Sequence, residues 1–245
     1  VPVQAVTIMD FFGDGVMGPE WALIEDSPAE LWLLETPGYL ELHSTGPASP
    51  TTDALYISDG ADGFLFSTAY TFGIGIGYEF PSFSGTGSMA LALGVGRDLA
   101  GTDSAAIGYT RSDNPALDGW LAVGRRVNDV ETITPLGIET DPSGIFAIAY
   151  NASADILSLN ARGRQADFPG LVRGTWGADS VYVSFGGRGS GLVLDTGDAW
   201  LANFVATSQV PSRAIPEPAT LSLLAIGAAA VIRRRRKSAH ARTQR

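Results

Sequence analysis

Carboxylates are the side chains of this sequence best placed to do chemistry, and they fall in three settings. Asp62 lies in the turn-forming run Asp59-Gly60-Ala61-Asp62-Gly63, where one carboxylate offers several coplanar lone pairs to vicinal hydroxyls. Asp10 and Asp14 lie near one terminus and Asp195 and Asp198 near the other. Glu139-Thr140-Asp141 is the closest approach to a paired acid and base, but Pro142-Ser143-Gly144 follows, which is turn chemistry. Trp120, directly after Asp118-Gly119, is the tryptophan nearest a loop and the best platform for a sugar ring, whose C–H face packs on an aromatic plane.

Several chemistries are excluded or disfavoured. With no cysteine, disulfides, thiolate metal sites and cysteine nucleophiles are absent. His43 and His240 are the two histidines, and His240 sits in a basic tail, so a zinc site or a Ser-His-Asp triad would rest on His43 alone. The formal charge is -10, unevenly spread: residues 1–215 hold 25 of the 26 acidic and 9 of the 16 basic residues, a net of -16. Such a body lacks the basic footprint that nucleic acid requires. Gly186-Gly187-Arg188-Gly189-Ser190-Gly191 has no lysine of a phosphate loop and follows a strand-like run, so it is read as a hairpin.

The elements that would position these residues are strands. Bulky residues alternate from Phe64 to Phe80, too long for one ordinary strand, so two strands or one bent at glycine are expected. Further alternating runs cover 88–95, 120–127, 145–150, 156–161, 181–185 and 199–207. Many strands with short polar turns predict an all-β sandwich or barrel over residues 1–207. Residues 208–218 read as a linker. Val1 in place of methionine fits a secretory leader already removed.

The C-terminus is organised differently. Pro216-Glu217-Pro218 is followed by an apolar run over 219–232 and then by Arg233, Arg234, Arg235, Arg236 and Lys237, which open a basic tail over 233–245. As a helix the apolar run would be about 21 Å long, short for a bilayer but apolar on every face, with arginines able to snorkel. The basic end would stay cytoplasmic and the body outside. The two prolines hold an extended segment just outside the membrane, the form a protease cleft binds.

The triplet, short apolar helix and arginine cluster together resemble the PEP-CTERM sorting signal. That resemblance implies processing by an exosortase, transient anchoring in the inner membrane with the body in the periplasm, and delivery to the cell surface or extracellular matrix of a Gram-negative bacterium. Residues 10–207 are similar to concanavalin A-like jelly-roll modules, including the LamG and lectin types. Phe11-Phe12-Gly13-Asp14-Gly15 and Pro37-Gly38-Tyr39-Leu40-Glu41-Leu42 look like their opening strands, Tyr150 to Leu159 like their common hairpin, and Gly197 to Phe204 like their closing strand. Ala61-Asp62-Gly63 resembles the Ala-Asp-Gly motif of L-type lectins, and a terminal calcium held by Asp10, Asp14, Asp195 and Asp198 would fit modules of this type. The glycosidase motif Glu-x-Asp-x-x-Glu is not completed after Glu139. The expected protein is therefore an exported, non-enzymatic surface protein that binds exopolysaccharide. The alternatives are an adhesive matrix component without a small ligand and a polysaccharide hydrolase.

Overall fold

The computed structural model describes residues 6–12, 14–50 and 52–209. The linker beyond 209, the Pro-Glu-Pro triplet, the apolar run and the basic tail lie outside the described residues.

Sixteen strands are present among the described residues: β1 (Val6–Asp10), β2 (Ala22–Glu25), β3 (Leu31–Thr36), β4 (Tyr39–Thr45), β5 (Thr52–Ile57), β6 (Phe66–Ser67), β7 (Phe72–Glu79), β8 (Ser84–Gly96), β9 (Ser104–Ser112), β10 (Trp120–Val127), β11 (Val130–Ile138), β12 (Ser143–Asn151), β13 (Ile156–Ala161), β14 (Arg164–Pro169), β15 (Ser180–Leu194) and β16 (Trp200–Ser208). One layer runs β11-β10-β9-β8-β15 and continues through β5 to β2. The other runs β16-β7-β12-β13-β14, with β1 beside β16. Strand β4 joins them, pairing with the end of β15 and the start of β16, so the sheet folds over on itself as a sandwich. The closing strand lies antiparallel to the opening one, Asp10 opposite Phe204, which ties both ends of the body into the sheet.

Alternation explains the core. Phe72, Ile74, Ile76 and Tyr78 of β7 are buried and face Met89, Leu91, Leu93 and Val95 of β8 and Ile107 and Tyr109 of β9. Tyr78 stacks on Tyr109 from the opposite layer at 5.2 Å between ring centroids, and Phe185 meets Phe204 at 5.3 Å. The alternating run from Phe64 resolves into β6 and β7, broken where Tyr70 N–H turns back to the Ser67 carbonyl.

The glycine run 186–191 is a correction. It is not a hairpin: β15 passes straight through it. A Cβ on Gly186 would fall 2.2 Å from the Ala54 carbonyl oxygen, and one on Gly189 would fall 2.2 Å from that of Ser88. Strands on both sides press against β15 there, so glycine serves close approach, with a register shift at Ser190/Leu192.

At one end the layers are clasped. Arg164 of β14 donates to the Leu136 and Ile138 carbonyls of β11 at 2.8 and 3.2 Å and pairs with Glu139 at 2.5 Å. The arginine is partly exposed, so the loss in Arg164→Ala is modest, about 1 kcal/mol. It should appear locally, as faster amide exchange in 131–138 with the rest of the body unchanged.

Candidate functional site

The two faces of the first layer differ in side-chain size. On β8, Met89, Leu91, Leu93 and Val95 point into the core, while Ala90, Ala92, Gly94 and Gly96 point out. Register continues this pattern sideways: Ser184, Gly94, Ala106 and Gly124 lie in one cross-strand row, and Gly186, Ala92, Gly108 and Ala122 in the next. The result is a trough with almost no side chains on its floor. Its cavity volume is about 340 Å³. Ile24, Leu55 and Asp53 form one wall, and Arg126 and Glu131 the other.

The charges in the trough are arranged across it. Asp53 pairs with Arg188, its register partner on β15, at 3.4 Å. Its backbone N–H donates to the Asp26 carboxylate at 3.1 Å. On the opposite wall Arg126 reaches Glu131 at 3.8 Å and Asp129 at 3.9 Å. Burial pushes the Asp53 carboxyl up to about 6, with Arg188 pulling against the rise and Asp26 adding to it. Arg126 and Glu131 line the same cavity as Asp53 and add smaller opposing effects on its carboxyl. Trp120 stands on the same face. It stands in a row that runs through Thr110, Ala90 and Arg188 to Asp53, with Ile138 of β11 on its other side, and it is half-buried.

The other sequence candidates lie elsewhere. Asp62 is exposed in the loop between β5 and β6, where its N–H donates to the Pro19 carbonyl at 3.1 Å, and it does not line the trough. Asp10 accepts from Phe12 N–H at 2.9 Å and from Trp21 Nε1 at 3.2 Å. Asp198 accepts from Asp195 N–H at 2.9 Å in a separate turn and also bonds Ser82. Asp10 and Asp198 thus accept from their own turns and from the Trp21 ring, and among the described residues no three acidic or histidine side chains converge as a metal site. Asp141 caps the turn at Ser143 and pairs with Arg162 at 2.8 Å, while Glu139 is taken by Arg164, so that pair is part of the clasp. His43 is buried, stacked on Trp32 at 5.4 Å and bonded to Glu41 at 3.1 Å.

One acidic contact escaped the sequence reading. Glu35 accepts from Gly15 N–H at 3.1 Å through one oxygen, while its other oxygen is buried without a hydrogen-bond partner. Burial, reinforced by Asp14 and Asp10, pushes its carboxyl from 4.5 up to about 7. Glu35 thus keeps a proton in the folded chain that it releases in the unfolded one, so its own contribution to stability is fully present below about pH 4.5 and is lost as pH rises through about 7. Glu35→Gln should shrink the drop in melting temperature between pH 5 and pH 8. An unchanged drop would show that Glu35 does not carry it.

The tail is decided by comparison. Residues 214–237 match the PEP-CTERM protein-sorting motif. The chain carries a PEP-CTERM signal. A PEP-CTERM motif directs export and sorting to the cell envelope through an exosortase, so this body works outside the cytoplasm. No curated protein sequence matches the chain significantly. Solved structures do match the PEP-CTERM protein's body in shape. Lectin II from Ulex europaeus shares 12% identity with a TM-score of 0.52, covering 84% of this chain and 99% of its own. A non-specific endo-β-1,3(4)-glucanase of family GH16 gives 11% and 0.56, covering 85% and 92%. An endo-1,3-β-glucanase from Streptomyces sioyaensis gives 11% and 0.57, covering 83% and 96%. At these identities the likeness shows the fold: a concanavalin-like jelly-roll shared by lectins and glycosidases.

Proposed function

We propose that this is an exported envelope or extracellular-matrix protein whose trough holds a polysaccharide strand without cutting it. The observation that carries the reading is the trough itself. Its floor is stripped of side chains over four strands, its walls carry carboxylates and guanidinium groups, and Trp120 stands on the same face. An extended sugar polymer needs that combination: a flat bed, polar groups that orient hydroxyls, and an aromatic plane for a ring. The sorting signal would deliver the body by way of the inner membrane and periplasm to the cell surface, where such polymers are found. Sugar-handling neighbours of the same fold are compatible with this, as analogy only.

A hydrolytic reading has one observation in its favour: Asp53 has a carboxyl lifted to about 6 beside a second acid, Asp26. Against it, Asp53 is tied to Arg188 rather than left free to protonate a leaving group.

Affinity electrophoresis of the full chain through gels containing β-linked polysaccharides tests binding, and release of new reducing ends from the same polymers tests cleavage. Retardation without new reducing ends is expected. In a host with the exosortase, replacing Pro216, Glu217 and Pro218 by alanine should leave the protein in the membrane fraction, whereas the unaltered chain is released. Normal release of the variant would contradict the sorting assignment.

A further inference from the structure

We propose that the polymer held in the trough carries free amino groups, as a chain of glucosamine units does, and that the trough rejects chains of uronic acids; this rests on the polysaccharide-binding reading above. The trough is lined by four carboxylates, Asp26, Asp53, Asp98 and Glu131, against two guanidinium groups, Arg126 and Arg188. Both arginines are already committed, Arg188 to Asp53 and Arg126 to Glu131 and Asp129. Asp98 is satisfied by Thr102, whose N–H donates to it at 3.0 Å and whose hydroxyl donates at 2.5 Å. Asp53 thus has Arg188 as its ion-pair partner, while Asp26, on the same wall, accepts only from the Asp53 backbone N–H among the contacts described.

A carboxylate partly withdrawn from water and short of positive charge is stabilised by a ligand that brings its own cation. An ammonium group on a sugar ring supplies three donors and one positive charge at the scale of this site. A sugar carboxylate would meet Asp53 and Asp26 as like charges, in the field of a body whose net charge is -16 over residues 1–215. The raised Asp53 carboxyl agrees with this shortage of compensation, since Arg188 and Arg126 only partly offset burial and the neighbouring acids Asp26 and Glu131.

The test titrates the full chain at about pH 6 and low salt with β-1,4-linked oligomers of equal length: glucosamine, N-acetylglucosamine, glucose and mannuronate. The glucosamine oligomer is expected to bind about tenfold more tightly than its N-acetylated form, a preference that shrinks in high salt, and mannuronate is expected not to bind. Asp53→Asn should cut the tenfold preference to less than about twofold, and Glu131→Gln, on the opposite wall, provides a second reduction at a site without the same burial. Ala106→Phe, which fills the floor but keeps every charge, should remove binding of the glucosamine oligomer. Equal affinity for amino, acetylated and plain glucose oligomers would overturn the amino-group inference and leave polysaccharide binding standing. Tightest binding of mannuronate would do the same. Undiminished binding of the glucosamine oligomer to Ala106→Phe would place the interaction on the acidic surface and overturn the assignment to the trough. Failure of all four oligomers to bind would overturn both the inference and the reading beneath it.

Discussion

Ala106→Phe is expected to weaken polysaccharide binding by at least about thirtyfold, equivalent to about 2 kcal/mol, while the protein stays folded. Ala106 points out of β9 onto the trough floor, and its neighbours on both sides are Gly94 and Gly124. No side chain flanks the new ring in that row, so it projects into the space a polymer would occupy. The backbone is not strained, because position 106 already carries a Cβ and the ring extends away from the core set of Ala105 and Ile107. Gly94 is a poorer site for the same experiment: a Cβ there would meet Ser184 Oγ at 3.0 Å and Ala106 Cβ at 3.1 Å, mixing a stability effect with the loss of space. Binding isotherms for polysaccharide, set beside melting curves of the same samples, separate the two contributions. Retained affinity in a folded Ala106→Phe variant would move the binding surface away from the trough.

The largest effect on stability is expected from Trp21→Ala, a loss of about 4 kcal/mol. Trp21 is 6% exposed and sits at the centre of a ring cluster: Phe64 at 5.3 Å, Phe185 at 4.6 Å and Phe204 at 5.1 Å, each edge-on. These partners come from the β5–β6 loop, β15 and β16, so one side chain fastens the N-terminal segment to both layers. Removing it opens a cavity beside Phe185 and Phe204, whose backbones are held in the sheet and cannot close in. It also frees the Asp10 carboxylate oxygen that accepts from Nε1 at 3.2 Å. A body of this size should melt about 10 °C lower, and the urea midpoint should fall with little change in slope. A shift of a degree or two would mean that the N-terminal segment contributes little to the packed core.

The strands that could be read from the sequence are those with one face in the core and one face polar or small. The runs 120–127 and 156–161 coincide with β10 and β13, because Leu121 and Val123, and Leu157 and Leu159, alternate cleanly with outward residues. Strand β11 was not foreseen. Val130 and Ile133 are exposed, so its apolar residues do not mark a buried face, and Pro135 occupies it at the sheet edge where a missing N–H costs least. The glycines of β15 misled because glycine signals a turn locally, whereas here it answers crowding from strands distant in sequence.

The trough was invisible for a related reason. A binding surface made by leaving side chains out has no motif, and the only trace is that the outward set of β8 is Ala90, Ala92, Gly94 and Gly96 where a solvent-facing strand would carry polar residues. Trp120 was singled out by its type and its turn; it stands on the same face of the layer but does not line the cavity. Asp53 has no neighbouring signature at all, since its burial and its partner Arg188 arise from a pairing 135 positions apart in the chain. Asp62 had the motif but stands outside the trough. The sorting signal was legible because a sorting motif is read as a linear string, with no folding required.

Hydrogen exchange of the full chain, measured peptide by peptide with and without a saturating oligosaccharide of glucosamine, tests the central claim most directly. Protection is predicted in the segments that pave and wall the trough, 90–96, 104–108, 122–126 and 184–188 together with Asp53, while the 59–63 loop is unchanged. Protection confined to 59–63, or spread evenly over the acidic surface, would contradict it.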